Sequence, residues 1–167
     1  VHWAMDYFDQ FKRGPENVNN FLKDNIKFLD SLPSYDRSVA IEDIHNYKIK
    51  YSPKSWRDCA KWSSDMFLEL YRDQILQLLH SFPEDSKTTE GEMFWSKGKR
   101  CPMAMEYDLT NKLVVDFIES TTHLFSRTCS LDDNFSREEL IAELVSYQVY
   151  DFIVDSDKKI AKDDSEL

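Results

Sequence analysis

The chain has little glycine and little proline. Its 167 residues include only three glycines, Gly14, Gly91 and Gly98, and five prolines. A β-sandwich needs many tight turns, so this shortage of turn residues argues against that class. The glycines are also too far apart for one loop to surround a phosphate with backbone N–H groups. We therefore expect no ATP binding by this chain itself.

Cysteine is scarce as well, and its spacing excludes two kinds of site. No Cys-x-x-Cys pair occurs, so neither a zinc knuckle nor a dithiol redox site is indicated. Free thiols fit a reducing compartment, cytosol or nucleus. The histidines also lack metal-ligand spacing, and no metal site is predicted. The residues concerned are Cys59, Cys101 and Cys129, with His2, His45, His80 and His123.

Positive charge is in deficit. The chain has 21 Lys and Arg against 31 Asp and Glu, a net charge of −10. Nucleic-acid binding needs an excess of cations to neutralise phosphates, and an anionic membrane surface attracts cations too. No apolar run approaches the roughly 20 residues that span a bilayer. Val1 opens a helical pattern instead of a signal peptide. We expect neither nucleic acid nor membrane as a partner.

The apolar residues that are present recur at helical spacing. This periodicity predicts an all-α, single multi-helix domain over residues 1–150, with a flexible tail or linker over 151–167. Capping boxes are predicted at Ser55–Asp58 and at Ser136–Glu139. Asp36 or Ser38 is expected to cap a further helix. Helical stripes are formed by Trp3, Tyr7, Phe8 and Phe11; by Val18, Phe21, Leu22, Ile26 and Leu29; by Ala40, Ile44 and Tyr47; by Trp56, Cys59, Ala60, Ser63, Phe67 and Leu70; by Leu113, Phe117, Thr121, Leu124 and Phe125; and by Leu140, Ile141, Leu144 and Val145.

A long loop is predicted over residues 84–108. The pattern Ile75, Leu78, Leu79 and Phe82 continues the preceding helix, or forms a separate one, and Pro83 ends it. Long loops without regular structure are uncommon in compact domains. Because Met93, Phe94 and Trp95 are apolar, we expect the loop to be ordered and to pack back on the core.

This loop region resembles a known family. The stretch LLHSFPEDSKTTEGEMFWSKGKRCPMAMEYD, Leu78–Asp108, is similar to the second catalytic cysteine half-domain of the ubiquitin-activating enzymes. The resemblance extends in family order along the chain, to Pro15–Asn19, Asp58–Trp62 and Val149–Leu167.

The resemblance implies a role within a larger enzyme. The parent enzyme, a ligase, adenylates ubiquitin or a ubiquitin-like modifier with ATP and Mg. It then captures the modifier as a thioester on a cysteine, and passes it to a ubiquitin-conjugating enzyme. In the family that cysteine lies just upstream of the residue matching Val1, so no catalytic residue is expected in this chain, which alone should be inactive. The domain would position the cysteine segment and help to form the transfer cleft. Cytoplasmic and nuclear localisation is expected.

Two alternatives remain open from the sequence. The first is a stand-alone, non-catalytic helical interaction module diverged from this family. The second is a cysteine enzyme that uses Cys101, because the nearby Lys99 and Arg100 would favour a thiolate. An incidental loop cysteine is the favoured interpretation, since two nearby cations are weak evidence. Lys97, Lys99 and Arg100 form a basic patch, and Asp132–Asp133 and Asp163–Asp164 are expected to be solvated.

Overall fold

The computed structural model describes residues 16–46, 52–88, 90–96 and 98–158, and within these ranges the chain is helical. Residues 16–24 are helical, and the remaining regular elements follow in chain order. The only β-pairing in the described ranges is an isolated bridge between Lys87 and Met93. The all-α prediction is confirmed. The elements are α1 (Ile26–Ser31), α2 (Ser34–His45), α3 (Trp56–Leu68), a π turn (Glu69–Asp73), α4 (Gln74–Ser81), α5 (Lys112–Thr128) and α6 (Arg137–Leu144).

The chain divides into two compact units. The first comprises the chain up to Cys59 together with Thr122–Asn134. In it, α1 packs against α2, and the Asn17 side-chain amide donates to Asp43 Oδ2 at 2.7 Å. Its buried side chains are Val18, Leu29, Ala40, Trp56, Cys59, Thr122, Phe125 and Ser126.

The second unit comprises Ala60–Thr121 and the chain from Phe135 onwards. Its core includes an aromatic cluster around Phe67, whose ring centroid lies 5.3 Å from that of Tyr71 and 5.8 Å from that of Phe117. Apolar side chains recurring three and four residues apart on the helices supply the rest of the core. They are Ala60, Trp62, Leu68, Leu70, Val114, Val115, Ile118, Leu140 and Leu144, and the buried Phe82 and Phe135 beside the helix ends join them.

Helix α2 begins earlier than the sequence predicted. Pro33 occupies the N-cap position with an extended ψ of 156°, and the helix starts at Ser34. Proline keeps the preceding Leu32 extended, so α1 has to end there and α2 starts at once. The predicted caps Asp36 and Ser38 are therefore wrong. Ser38 lies inside the helix, where its hydroxyl donates to the Ser34 carbonyl at 3.1 Å.

Both predicted capping boxes have a counterpart in the structure. At α6, the Ser136 hydroxyl accepts from the Glu139 N–H at 3.1 Å, and Glu139 accepts from the Ser136 N–H at 2.8 Å. At α3, the Asp58 carboxylate accepts from the N–H of Lys54 at 2.9 Å and of Ser55 at 3.1 Å. Each carboxylate satisfies N–H groups that a helix start leaves without intrahelical acceptors.

Helices α3 and α4 are joined without a break in helicity by the π turn. A π turn closes i→i+5 hydrogen bonds and so inserts an additional residue into the helical ladder. The helical run ends at Ser81, and Phe82 leaves it at φ −132° and ψ 76°, directly before Pro83. The predicted stop at this proline is confirmed.

The loop over residues 84–108 packs back as expected. Phe94 stacks on Phe82 with ring centroids 4.5 Å apart, and the Trp95 indole N–H is shared between the carbonyls of Phe82 at 3.0 Å and Pro83 at 3.1 Å. Met93 differs from the expectation, because 44% of it is exposed. Gly91 adopts φ +82°, a conformation that favours glycine.

The described part of the C-terminal tail is bonded to α4. The side-chain amide of Gln77 donates to the Asp155 carbonyl at 2.8 Å, and the Asp155 N–H donates back at 2.9 Å. Residues 159–167 of the predicted tail lie outside the described residues, as does the predicted helix at Trp3–Phe11. No described helix has the length and apolar character to cross a membrane.

Candidate functional site

The three thiols lie in different environments. Cys59 is fully buried in α3, and this burial raises the pKa of its thiol. Cys101 is partly buried, with its Sγ 3.8 Å from the Pro102 carbonyl oxygen. The ammonium of Lys99, expected beside this thiol, lies 4.6 Å from the centre of the Phe94 ring. Cys59 is therefore a core residue, and a lysine that would favour thiolate at Cys101 is engaged by an aromatic ring.

Of the Asp132–Asp133 pair, Asp132 is exposed as expected, whereas Asp133 is only partly exposed. Asp133 accepts from Arg127 Nε at 2.6 Å and lies 3.2 Å from His123 Nδ1. The hydrogen bond from Arg127 lowers the pKa of the Asp133 carboxyl. Asp132 instead accepts from the Asn134 N–H at 3.0 Å. The two carboxylates thus have separate partners, as expected of structural residues and not of an acid–base pair.

The other predicted candidates do not converge on a centre. His45 and His80 lie in the last turns of α2 and α4. Among the residues that the structure describes, no group of three or more His, Cys, Asp or Glu could hold a metal ion. His2, Lys97 and Asp163–Asp164 lie outside the described residues.

The most organised polar site holds the C-terminal segment, defined as residues 146–155, on the helices of the second unit. The Tyr147 hydroxyl donates to Asp65 of α3. Tyr150 donates to Asp73 Oδ2 of the π turn at 2.6 Å. Together with the two hydrogen bonds between Gln77 and Asp155, these bonds hold a non-helical segment at three successive levels of the helical run.

Asp73 is the central residue of this site. Only 7% of it is exposed, and its carboxylate accepts from Arg72 Nε at 2.7 Å as well as from Tyr150. The Arg72 guanidinium also lies over the Tyr150 ring, 4.8 Å from its centre. A buried carboxylate is tolerated when its oxygens accept hydrogen bonds from such partners. Burial and the bond to Asp73 raise the pKa of Tyr150 to about 12, and burial also raises that of Tyr147.

The end of the long loop, defined as residues 101–108, attaches to the same helices. The Met105 N–H donates to the Tyr71 carbonyl in the π turn at 2.8 Å. The Tyr107 hydroxyl lies 3.0 Å from Ser64 Oγ, and the Tyr107 ring centroid is 5.3 Å from that of Tyr147. The arrangement can fix the positions of two non-helical segments.

These anchoring residues were not singled out from the sequence, although one signal was available. Asp73 and Gln77 follow Leu70 at helical spacing, so they fall on the apolar stripe that continues from α3. A polar residue on a buried stripe requires a hydrogen-bond partner from elsewhere in the fold. The partners Tyr150 and Asp155 are 77 and 78 residues away in the chain, and no local pattern identifies them.

An all-α fold with an ordered aromatic loop and two anchored non-helical segments defines the class of this protein as a helical domain. The model of the family "Ubiquitin-activating enzyme, SCCH domain" matches residues 1–167. The chain belongs to this family, the second catalytic cysteine half-domain of the ubiquitin-activating enzymes.

Similar relatives support the same family. The chain is 35% identical over 171 residues to ubiquitin-like modifier-activating enzyme 1 of Oryctolagus cuniculus, and 34% identical over 171 residues to that of Homo sapiens. Each alignment covers 100% of this chain and 16% of the relative. Ubiquitin-activating enzyme E1 1 of Schizosaccharomyces pombe is 35% identical over 133 residues, which are 75% of this chain and 13% of that protein. The chain thus spans about a sixth of the length of the first two.

Proposed function

We propose that this domain is the platform of a ubiquitin-activating enzyme that positions the thioester-forming cysteine. The observation that carries the proposal is the family match over the whole chain. In the parent enzyme, ATP and Mg would activate the carboxyl terminus of ubiquitin or a ubiquitin-like modifier. A cysteine thiolate would then displace AMP from the adenylate to form the thioester. Reactions of this kind depend on holding the reacting groups in a fixed geometry.

The proposed partners follow from this role. They are the modifier, ubiquitin-conjugating enzymes that receive it, and the remaining domains of the parent enzyme, in the cytoplasm and nucleus. The domain would form part of the cleft that admits the conjugating enzyme. A rigid helical core supports such a role, because fully buried side chains such as Phe67, Ile118 and Leu140 are close-packed and resist deformation.

The first test asks whether this chain carries chemistry. The 167-residue chain is mixed with ATP, Mg, ubiquitin and a complete activating enzyme in trace amount, and thioesters are resolved on non-reducing gels. We expect the thioester on the complete enzyme and none on Cys59, Cys101 or Cys129 of this chain. Charging of the isolated chain would contradict the platform role and favour the cysteine-enzyme alternative.

The second test asks whether the domain positions the cysteine. Asp73→Ala is introduced into the complete parent enzyme, with Asp85→Ala as the matched control because Asp85 is exposed. We expect ATP–pyrophosphate exchange, which reports adenylation, to be unchanged. Thioester formation should slow by about tenfold or more, as small misplacements of reacting groups do. Equal rates in the two variants would contradict the proposal.

A further inference from the structure

Two non-helical segments attach to the same short stretch of helix. The π turn offers the Tyr71 carbonyl to the Met105 N–H of the loop end, and the Asp73 carboxylate to the Tyr150 hydroxyl of the C-terminal segment. The two acceptors are only two residues apart. A π turn displaces carbonyls from the regular α-helical ladder, which suits one of them to receive a donor from outside the helix.

The same pairing recurs one level earlier on the helical run. Ser64 and Asp65 are consecutive residues of α3, and they bond Tyr107 of the loop end and Tyr147 of the C-terminal segment respectively. The two tyrosine rings also contact each other, with centroids 5.3 Å apart and planes inclined at 36°. Each segment therefore forms part of the surface on which the other rests.

Both segments depend on these anchors for their order. Neither the loop end nor residues 146–155 has regular secondary structure in the described chain. Segments with few backbone bonds of their own open locally, at a free energy set by the contacts they make with their support. Because the contacts of the two segments interlock at the tyrosine pair, loss of one set removes part of the other.

We propose that the π turn is a joint that couples the loop end to the C-terminal segment, so that release of either one releases the other. The coupling is physical, since it runs through directly bonded neighbours and one ring contact. The loop end and the C-terminal segment would therefore open and close together as one unit beside the helical core. The proposal concerns the equilibrium of this chain alone and stands independently of the platform function.

Hydrogen exchange of two amides tests the joint directly. The Asp155 N–H, bonded to Gln77, reports the C-terminal segment, and the Met105 N–H, bonded to Tyr71, reports the loop end. The variant Tyr150→Phe removes only the hydroxyl that reaches Asp73. Both amides should exchange about tenfold faster or more, as expected for loss of a hydrogen bond to a carboxylate.

Two controls accompany this variant. Tyr35→Phe alters a tyrosine that is 79% exposed, and should change neither amide. The Leu140 N–H, bonded to the Ser136 carbonyl at the start of α6, should keep its wild-type exchange rate in Tyr150→Phe.

The reverse variant, Tyr107→Phe, removes the hydroxyl by which the loop end contacts Ser64 of α3, and it should accelerate exchange of the Asp155 amide. Acceleration of Asp155 without Met105 in Tyr150→Phe would overturn the proposal, as would no change in either amide.

A further measurement uses only the wild-type chain and so does not depend on any variant folding correctly. Exchange is followed at increasing urea concentrations below the global transition. The Met105 and Asp155 amides should converge on one opening reaction with a common urea dependence, before the Leu140 amide joins them. Separate opening reactions for Met105 and Asp155 would show that the two segments are independent.

Discussion

Two sets of polar contacts in the second unit differ in their surroundings. Where α6 meets α5, Arg137 pairs with Asp116 at 2.8 Å and with Glu119, and all three side chains are between 21% and 39% exposed. Where the C-terminal segment meets the π turn, the Asp73 side chain is 10% exposed and that of Arg72 is 15% exposed. Similar bonds have different consequences, because water competes for all three charged groups at the first place. At the second, water reaches Tyr150, which is 42% exposed, but is largely excluded from the Asp73 carboxylate and the Arg72 guanidinium. The contacts around Asp73 are therefore expected to fix the position of the C-terminal segment and to stabilise the fold. The contacts of Arg137 are expected to add little to the free energy of unfolding.

The largest expected effect is at Asp73. Asp73→Ala removes the acceptor of Tyr150 and leaves the Arg72 guanidinium without its carboxylate. Because an unpaired buried charge is costly, we expect the free energy of unfolding to fall by about 3 kcal/mol, measured by urea denaturation. Asp85→Ala, an exposed substitution, is the control. A loss no larger than that of the control would show that the π-turn site is not buried as described.

A smaller loss is expected at Gln77. Gln77→Met keeps the length of the side chain and removes both bonds to the Asp155 backbone. The freed backbone groups belong to an exposed residue and can bond water, so we expect a loss of about 1–2 kcal/mol. Gln74→Met, at an exposed position of the same helix, is the matched control in the same denaturation experiment. Equal stabilities of the two variants would argue against a bonded tail.

Alkaline titration sharpens the comparison, because the Tyr150 bond depends on a protonated phenol. The pKa of Tyr150 is raised to about 12, from an unfolded value of about 10. The folded chain therefore binds this proton more tightly. The stabilisation is complete below pH of about 10 and is lost as the pH rises towards about 12. We expect Tyr150→Phe to flatten the fall of unfolding free energy with pH in this window. An unchanged slope relative to wild type would contradict the assignment.

The smallest effect is expected at the exposed junction. Arg137→Ala removes both carboxylate contacts of α6, yet we expect the urea midpoint at physiological salt to stay close to that of the wild type. Any difference should shrink further when salt is raised, because exposed pairs are screened. A salt-independent loss as large as that of Asp73→Ala would reverse the comparison.

Local sequence patterns predicted most of the fold. Ser136 and Glu139 identified the start of α6, Pro83 identified the end of α4, and the apolar periodicity identified α3 and α5. These features depend on residues within a few positions of one another. The start of α2 shows the limit, because its N-cap position is held by Pro33 and not by a Ser, Thr, Asp or Asn side chain that could cap the helix.

The anchoring site was not predictable in the same way. Asp73 and Gln77 required partners, but their identity depends on how the chain returns after α6. The π turn also could not be predicted from a periodicity of 3.6 residues, because that pattern assumes regular i→i+4 hydrogen bonding throughout the helix. The family membership, in contrast, could be predicted, because the motif in Leu78–Asp108 consists of consecutive residues.

The most direct test of the buried site is a double-mutant cycle between Tyr150→Phe and Asp73→Ala, set beside a cycle between Arg137→Ala and Asp116→Ala. Unfolding free energies of the wild type, single and double variants give the coupling of each pair. We predict a coupling of about 1.5 kcal/mol for Tyr150 with Asp73, because a donor to a poorly hydrated carboxylate is lost. The Arg137 cycle should give a clearly smaller value. Equal couplings, or none between Tyr150 and Asp73, would contradict the account.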